Sequence, residues 1–301
     1  MPSAWLGIVL AVSLGLAACG GSVTTPAVSP SLSSAPSSST AQSLTLTIDG
    51  QTRTYLLFKP HPLDPTQRVP LVIAIHGYTV DAAWMETTTR FDEKAKQGGF
   101  VVVYPEGINN SWNAGSCCGD AQSNKVDDVL FVRQLISSLV ANGGIDPKRV
   151  FVTGMSNGGM MAHRLACELS DRIAAIASVS GALVTDTCNP GRPISVLEMH
   201  GTGDAIVPYD GGFINRLGQL PATMSFMTHW ARLNGCAADP VVTQTGITKT
   251  STWRGCSEGS IVVLDAISGA SHSWFGPDDA LRGEPNATQV TWDFFSQVPP
   301  R

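Results

Sequence analysis

The stretch Gly154-Met155-Ser156-Asn157-Gly158 sets a hydroxyl between two glycines in a G-x-S-x-G pattern. It follows an apolar run, Arg149 to Thr153, that reads as a strand. It opens into Gly159 to Ala166, which reads as a helix. A serine on such a sharp strand-to-helix turn stands above the sheet edge, and the glycines are required where a Cβ would clash between the two elements. The helix N-terminus adds partial positive charge and free N–H groups beside the oxygen. A serine held this way is placed to attack a carbonyl carbon. The plain alternative for the pentapeptide is a Gly/Ser-rich turn without chemistry.

An attacking serine needs a base, and the base needs an acid to orient it. Met199-His200-Gly201-Thr202-Gly203-Asp204 follows an apolar run and leaves Asp204 in the loop at its end. Ala270-Ser271-His272-Ser273-Trp274 follows the last such run and leaves His272 in the corresponding loop. The order Ser156, Asp204, His272 is that of nucleophile, acid and base in a strand-loop hydrolase. Asp186 and Asp210 are rival acids, without the strand-end position and Gly-rich turn of Asp204. His200 and His229 are rival bases. His200 is read as structural beside Gly201, His229 as packed or exposed on a helix, and His163 as lying on the helix behind Ser156. Negative charge developing on the attacked carbonyl needs N–H donors. The expected donors are the amides of Asn157 and of Tyr78, the latter in the turn His76-Gly77-Tyr78-Thr79. The alternative for His76-Gly77 is a tight turn that caps a strand.

The elements that must bring these residues together follow from periodicity. Leu44 to Ile48 and Tyr55 to Phe58 read as an antiparallel pair around Asp49-Gly50. Strands are expected at Leu71 to Ile75, Phe100 to Tyr104, Val150 to Thr153, Ile173 to Ser180, Ile194 to Met199 and Ile261 to Ile267. Helices are expected at Ala82 to Gln97, Asp127 to Val140, Thr223 to Leu233 and Thr288 to Ser296. Alternating strands and helices imply right-handed crossovers and a mostly parallel sheet with helices on both faces, an α/β class. Ligands bind at the carboxyl ends of such strands, where Tyr78, Ser156, Asp204 and His272 fall.

The chain has 301 residues and a net charge of −5, with no basic block. That argues against a nucleic-acid partner. The apolar run Leu6 to Ala18 is too short to span a bilayer comfortably and reads as a targeting signal. It ends in Leu16-Ala17-Ala18-Cys19, similar to a bacterial lipobox, which makes Cys19 the expected lipidation site. Met1 to Trp5 contains no Lys or Arg, a departure from that pattern. An ordinary cleaved signal is the alternative. Residues 20–43, rich in Ser, Thr, Pro and Ala, read as a tether, and 44–301 as one catalytic domain. The expected location is the cell envelope, with the membrane touched only through the lipid.

Six further cysteines, Cys117, Cys118, Cys167, Cys188, Cys236 and Cys256, are an even count in an exported chain and point to disulfides. No C-x-x-C spacing is present, so no metal site is expected. Cys236 and Cys256 flank a probable strand pair, and joining them would close a loop worth roughly 3 kcal/mol. A bridge from Cys117 or Cys118 to Cys188 is expected across neighbouring loops. Cys167 is carried about 18 Å away by its helix, so it is read as a buried thiol or as the partner of the remaining loop cysteine.

Tyr104-Pro105-Glu106-Gly107, Trp112-Asn113, Cys117-Cys118-Gly119, Val126-Asp127-Asp128-Val129, the pentapeptide with Gly159-Met160-Met161, His200 to Asp204 and His272-Ser273-Trp274 occur in this order. Together they resemble the polyhydroxybutyrate depolymerase and feruloyl esterase family, including LpqC-type lipoprotein esterases. The resemblance covers nearly everything from Leu44 onward. It implies an α/β-hydrolase fold, no metal or organic cofactor, and Ser156, Asp204 and His272 as nucleophile, acid and base. Many members read H-x-W-P-G at the base; here Phe275 stands in place of the proline. The implied substrates are aliphatic polyesters, feruloyl esters or acetylated xylan. With no polymer-binding module after the last helix, soluble oligomers or small esters are favoured over crystalline polymer, and the chain is expected to act as a monomer. Trp112, Trp274 and Phe275 are candidates to line an acyl pocket, with plain packing as the alternative. The competing function is a non-catalytic surface lipoprotein that binds glycan or polyester, which would not react with a serine-directed probe. A peptidase on the same fold would usually need a gating domain.

Overall fold

Asp49 and Gly50, with φ of 49° and 80°, turn the chain between β1 (Gln42–Ile48) and β2 (Gln51–Phe58), which pair antiparallel. The computed structural model describes Met1 and residues 41–301 apart from 63, 65, 143, 216 and 277–282. The expected signal segment with Cys19, and the tether except its last residues, lie outside the described residues. The chain continues through β3 (Val69–Ile75), α1 (Ala82–Thr89), α2 (Phe91–Gly98), β4 (Val101–Pro105), α3 (Gly119–Ser123), α4 (Asp128–Ala141), β5 (Ile145–Met155), α5 (Asn157–Glu168), β6 (Ala175–Val179) and β7 (Ser195–Gly201). It then forms β8 (Gly212–Ile214), β9 (Gly218–Leu220), α6 (Thr223–Leu233), β10 (Val241–Thr245), β11 (Thr248–Trp253), β12 (Val262–Ile267) and α7 (Ala287–Gln297).

The main sheet has the order β1-β2-β4-β3-β5-β6-β7-β12-β11-β10. The six strands from β4 to β12 run parallel, and an antiparallel pair closes each side. Central strands are buried throughout because alternate side chains enter cores on opposite faces. Leu71, Ile73 and Ile75 belong to the core shared with α4, α5 and α6, while Val72 and Ala74 belong to the core shared with α1, α2 and α7. Chain order reverses between β3 and β5, and the loops leaving both strands define the crevice where ligands bind in sheets of this kind.

One helix expected over 82–97 is two. Arg90 adopts φ 52° and ends α1 after Thr87, Thr88 and Thr89. Three β-branched residues in a row are poor helix formers, and the Thr89 hydroxyl donates to Met85 O at 2.7 Å. β5 starts five residues earlier than the apolar pattern indicated. Its first part pairs with β3 across a register shift between Val69 and Leu71, at Pro70, which has no N–H for the ladder.

The disulfides correct two expectations. Cys236 and Cys256 are bridged, as expected. Cys188 is joined to Cys167, with Cα atoms 4.8 Å apart, and Cys117 is joined to Cys118. The connection from β6 to β7 has no helix yet must return to the opposite sheet edge. It therefore carries Cys188 down to the C-terminal end of α5, where Cys167 sits, and away from the Cys117–Cys118 loop.

Two carboxylates, Asp128 buried and Asp92 half-buried, hold the frame. Arg53, 3% exposed, donates to Asp128 Oδ1 at 2.8 Å and lies 4.1 Å from the Phe131 ring centroid. Asp128 Oδ2 accepts Asn113 N–H at 2.8 Å. Burial pushes Asp128 up despite the opposing charge of Arg53. Removing one partner strands the other, so Asp128→Ala is expected to cost about 3–5 kcal/mol, read by urea unfolding; a loss under about 1 kcal/mol would contradict this. Asp92 accepts the Tyr104 hydroxyl at 2.8 Å and is pushed up to about 7, mainly by burial and further by Glu86. Its folded proton affinity exceeds that of the unfolded chain. The stability it contributes is present below about pH 4 and lost as pH rises through about 7. Asp92→Asn is expected to flatten the decline of the thermal midpoint over that window; parallel profiles for the two proteins would contradict the assignment.

Candidate active site

Ser156 has φ 55° and ψ −120°, a left-handed conformation that non-glycine residues rarely adopt. It is held there from both sides. Its N–H donates to Val179 O at 2.9 Å, and its carbonyl accepts the first bond of α5, from Met160 N–H at 2.8 Å. A Cβ on Gly154 would collide with the Gly158 backbone. A Cβ on Gly158 would collide with Ile75 O and lie 2.5 Å from His76 O. The two glycines thus let strand, turn and helix approach closely enough to raise Ser156 at the end of β5.

Asp204 lies in the turn after β7, buried at 5% exposure. Its Oδ1 accepts the amides of Ile206 and Val207, each at 2.8 Å, and its Oδ2 accepts His272 Nδ1–H at 2.7 Å. Burial pushes the carboxyl up. The bond and charge of His272 and the two amides outweigh it and hold Asp204 below its ordinary value. The loops carrying acid and base are tied together: Gly203 N–H donates to Ala270 O, Thr202 N–H to Ile267 O and Gly269 N–H to Thr202 Oγ1. With Nδ1–H committed to Asp204, the other ring nitrogen of neutral His272 carries a lone pair. Ser156 and His272 line the same cavity of about 1060 Å³. Among the described residues no hydrogen bond joins the Ser156 hydroxyl to the ring, and both groups face that cavity.

The turn after β3 faces the same space. His76 is fully buried; its Nε2 accepts Gly107 N–H at 3.0 Å, leaving Nδ1–H to donate to Gly77 O at 2.7 Å. Trp112 Nε1–H donates to His76 O at 3.1 Å, and Thr79 N–H to Asn110 O at 2.9 Å. The Asn157 amide side chain pairs with both backbone groups of Trp112, accepting at 2.8 Å and donating at 3.0 Å. Among the described residues the backbone N–H groups of Tyr78 and Asn157 have no acceptor, the condition for donors reserved for a bound oxygen.

The residues named as pocket candidates fall elsewhere. Trp112 and Phe275 are 0% exposed and Trp274 is 3% exposed, and none lines the cavity. Trp112 packs on His76 and Phe131, and Trp274 donates to Thr288 Oγ1 and packs on Phe91. The cavity wall is instead built from Tyr78, Thr79, Cys118, Gly119, Gln122, Ser123, Met160, Ile206, Phe213, Ile214, Asn215 and Leu217. Ile206 and Phe213 are 56% and 69% exposed. Large apolar residues inside the Gly- and Pro-rich stretch after Asp204 were the available signal for them. The rivals Asp186, Asp210 and His229 are exposed and off the cavity.

Residues 53–224 match the family described as Esterase PHB depolymerase. The chain is 31% identical over 241 residues to feruloyl esterase B of Piromyces equi, covering 76% of this chain and 42% of that protein. It is 29% identical over 253 residues to the bifunctional acetylxylan esterase/xylanase XynS20E of Neocallimastix patriciarum, covering 82% and 34%. It therefore spans less than half the length of either relative. The fold is similar to that of an acetyl xylan esterase from Aspergillus awamori, with TM-score 0.61 and 17% identity over 81% of this chain and 98% of the other. The sheet with its helices on both faces is accordingly an α/β-hydrolase fold, and the chain belongs to the Esterase PHB depolymerase family, a family of carboxylic ester hydrolases.

Proposed function

We propose that this protein hydrolyses carboxylic esters through Ser156, His272 and Asp204. His272 takes the Ser156 proton as the oxygen attacks the ester carbonyl, and Asp204 keeps the imidazole in the required tautomer and offsets its charge. The oxyanion is met by the N–H groups of Asn157 and Tyr78. The alcohol departs with the proton from His272. A water deprotonated by the same ring then releases the acid and restores Ser156. The observation that carries this reading is the 2.7 Å Asp204–His272 bond beside a positive-φ serine on the same cavity.

The cavity also limits the substrate. Among the described residues, the ionisable side chains on its walls are His272 and the Tyr78 phenol. Its volume and its apolar residues Met160, Ile206, Phe213 and Leu217 suit a bulky, largely apolar group better than acetate alone. The reading is therefore esters of the feruloyl or hydroxybutyrate-oligomer type. Parallel assays on methyl ferulate, hydroxybutyrate oligomers and acetylated xylan test it. Turnover of one of the first two above acetylated xylan is expected; no hydrolysis of any of them would overturn it.

Three disulfides support an exported protein, and the Leu16–Cys19 segment supports lipidation at Cys19. Expressed in a bacterium, the full chain is expected to partition into detergent and Cys19→Ser into the aqueous phase. Equal partitioning would leave ordinary secretion as the correct reading.

A further inference from the structure

Behind Asp204 lies a chain of fully buried polar side chains that the hydrolysis scheme does not use. Trp230 on α6, His163 on α5, and Glu198 and His200 on β7 are each 0% exposed. Trp230 Nε1–H donates to His163 Nδ1 at 3.1 Å. Indole N–H is a donor only, so His163 Nδ1 carries a lone pair and its proton sits on Nε2, which donates to Glu198 Oε2 at 3.1 Å. Gly181 N–H donates to Glu198 Oε1 at 3.1 Å. Two donors on separate oxygens favour the carboxylate form of Glu198.

His200 faces Glu198 Oε1 through Nδ1 at 3.0 Å. Its Nε2 faces two acceptors, Val207 O at 2.8 Å and Asp204 Oδ2 at 3.6 Å. Nε2 must therefore carry a proton, and a carboxylate opposite Nδ1 calls for a second. Burial opposes the charge on both groups. The bonds from His163 and His200 outweigh it and hold Glu198 below its ordinary value, and the bond and charge of Glu198 hold His200 above its own. Around His200, the other titratable neighbours are Tyr209, edge-on at 5.9 Å, and His163 beyond Glu198. The adjacent strand offers Ala266, while Asp265 lies opposite Met199 and accepts from Thr250. The α6 residues here are Phe226 and Trp230.

We propose that His200 is a positioning residue for the triad, a buried imidazolium balanced by Glu198 that fixes the 204–207 turn and holds the Asp204 carboxylate toward His272. The inference rests on the triad reading above. Val207 links the two: its carbonyl accepts from His200 and its amide donates to Asp204 Oδ1. His200 thus sets the turn whose amides orient the acid. Its positive charge also faces Asp204 Oδ2, the oxygen that accepts from His272. Two imidazole rings thus share one carboxylate oxygen, so removing the charge of one changes the field at the other.

Two measurements on the full chain test this. In 15N-histidine NMR of the wild type at pH 8, the signals lost in His200→Gln are expected to be those of a doubly protonated ring. In pH profiles of kcat/KM, the acid limb reports the base of the free enzyme. Here it reads the groups facing His272, namely Asp204 and, behind it, His200. His200→Gln is expected to move that limb up by about half a pH unit or more, and Glu198→Gln to move it the same way, because the buried His200 ring left without its counter-charge gives up its proton. A singly protonated His200 in the wild type, its ring signals assigned there by multidimensional correlation, overturns the proposal even if neither variant folds. A folded variant with lowered kcat and an unmoved limb also overturns it, since that is the mark of packing alone. Failure of the underlying reading would look different: Ser156→Ala would retain wild-type turnover whatever the state of His200.

Discussion

Ser156→Ala is expected to lower kcat on p-nitrophenyl butyrate by about 10⁵-fold or more while leaving the thermal midpoint nearly unchanged. The magnitude follows from removing the atom that forms the covalent intermediate in the proposed mechanism, which leaves His272 and Asp204 nothing to activate. The stability expectation follows from local geometry. Ser156 donates its N–H to Val179 O and accepts from Met160 N–H through main-chain atoms alone, and both bonds survive the change. Alanine at φ 55° is as strained as serine, so the turn neither gains nor loses much. Residual activity comes from the amides of Asn157 and Tyr78 and from substrate binding. Wild-type turnover by the variant would remove Ser156 from the mechanism, and a collapse in stability would show that its hydroxyl supports the fold.

Gly158→Ala is expected to have the second largest effect, and on a different quantity. The added methyl would press on Ile75 O and His76 O at the end of β3. These are main-chain atoms of a buried central strand, so no rotamer change relieves the contact. Either α5 lifts from the sheet, carrying Asn157 with it, or the 76–79 turn shifts and misplaces Tyr78. The folding cost is expected at about 3 kcal/mol, with kcat falling at least 100-fold in whatever folds because an oxyanion donor is displaced. Urea unfolding and turnover on the same preparation check both parts. Unchanged stability would mean that the strand–helix contact is looser than described. Gly154→Ala should behave similarly, its Cβ colliding with the Gly158 backbone.

Much of the site was legible because it is written in local chemistry. A serine between obligatory glycines, and an acid and a base each directly after an apolar run, can be placed at strand ends without tertiary information. The structure puts Asp204 and His272 in the adjacent loops after β7 and β12, which pair parallel. The central strands were legible for the same reason, since burial on both faces leaves continuous apolar runs. What was missed depends on where non-local segments travel. Cys188 reaches Cys167 because the β6–β7 connection lacks a helix and descends the sheet, which spacing alone does not reveal. Trp112 and Trp274 looked like pocket residues from type and motif. Their indole N–H groups are instead spent on His76 O and Thr288 Oγ1 inside the core. Phe213 and Ile206, less conspicuous in the sequence, are the aromatic and aliphatic faces exposed at the cavity. The break at Arg90 is a local event, three threonines overriding an otherwise helical run. His200 and His163 were set aside as structural, which their burial supports. That Glu198 on β7 joins them into one network reaching Asp204 depends on the His163 side chain reaching from α5 to β7, and no periodicity encodes it.

The central claim is that the Ser156 hydroxyl is activated by His272 and Asp204, and covalent labelling tests it most directly. Treatment with a p-nitrophenyl phosphonate at pH 8, followed by intact mass and peptide mapping, is expected to give one adduct per chain on Ser156. Labelling should fall by orders of magnitude in His272→Ala. No adduct, or an adduct on another serine with Ser156 unmodified, would contradict the account.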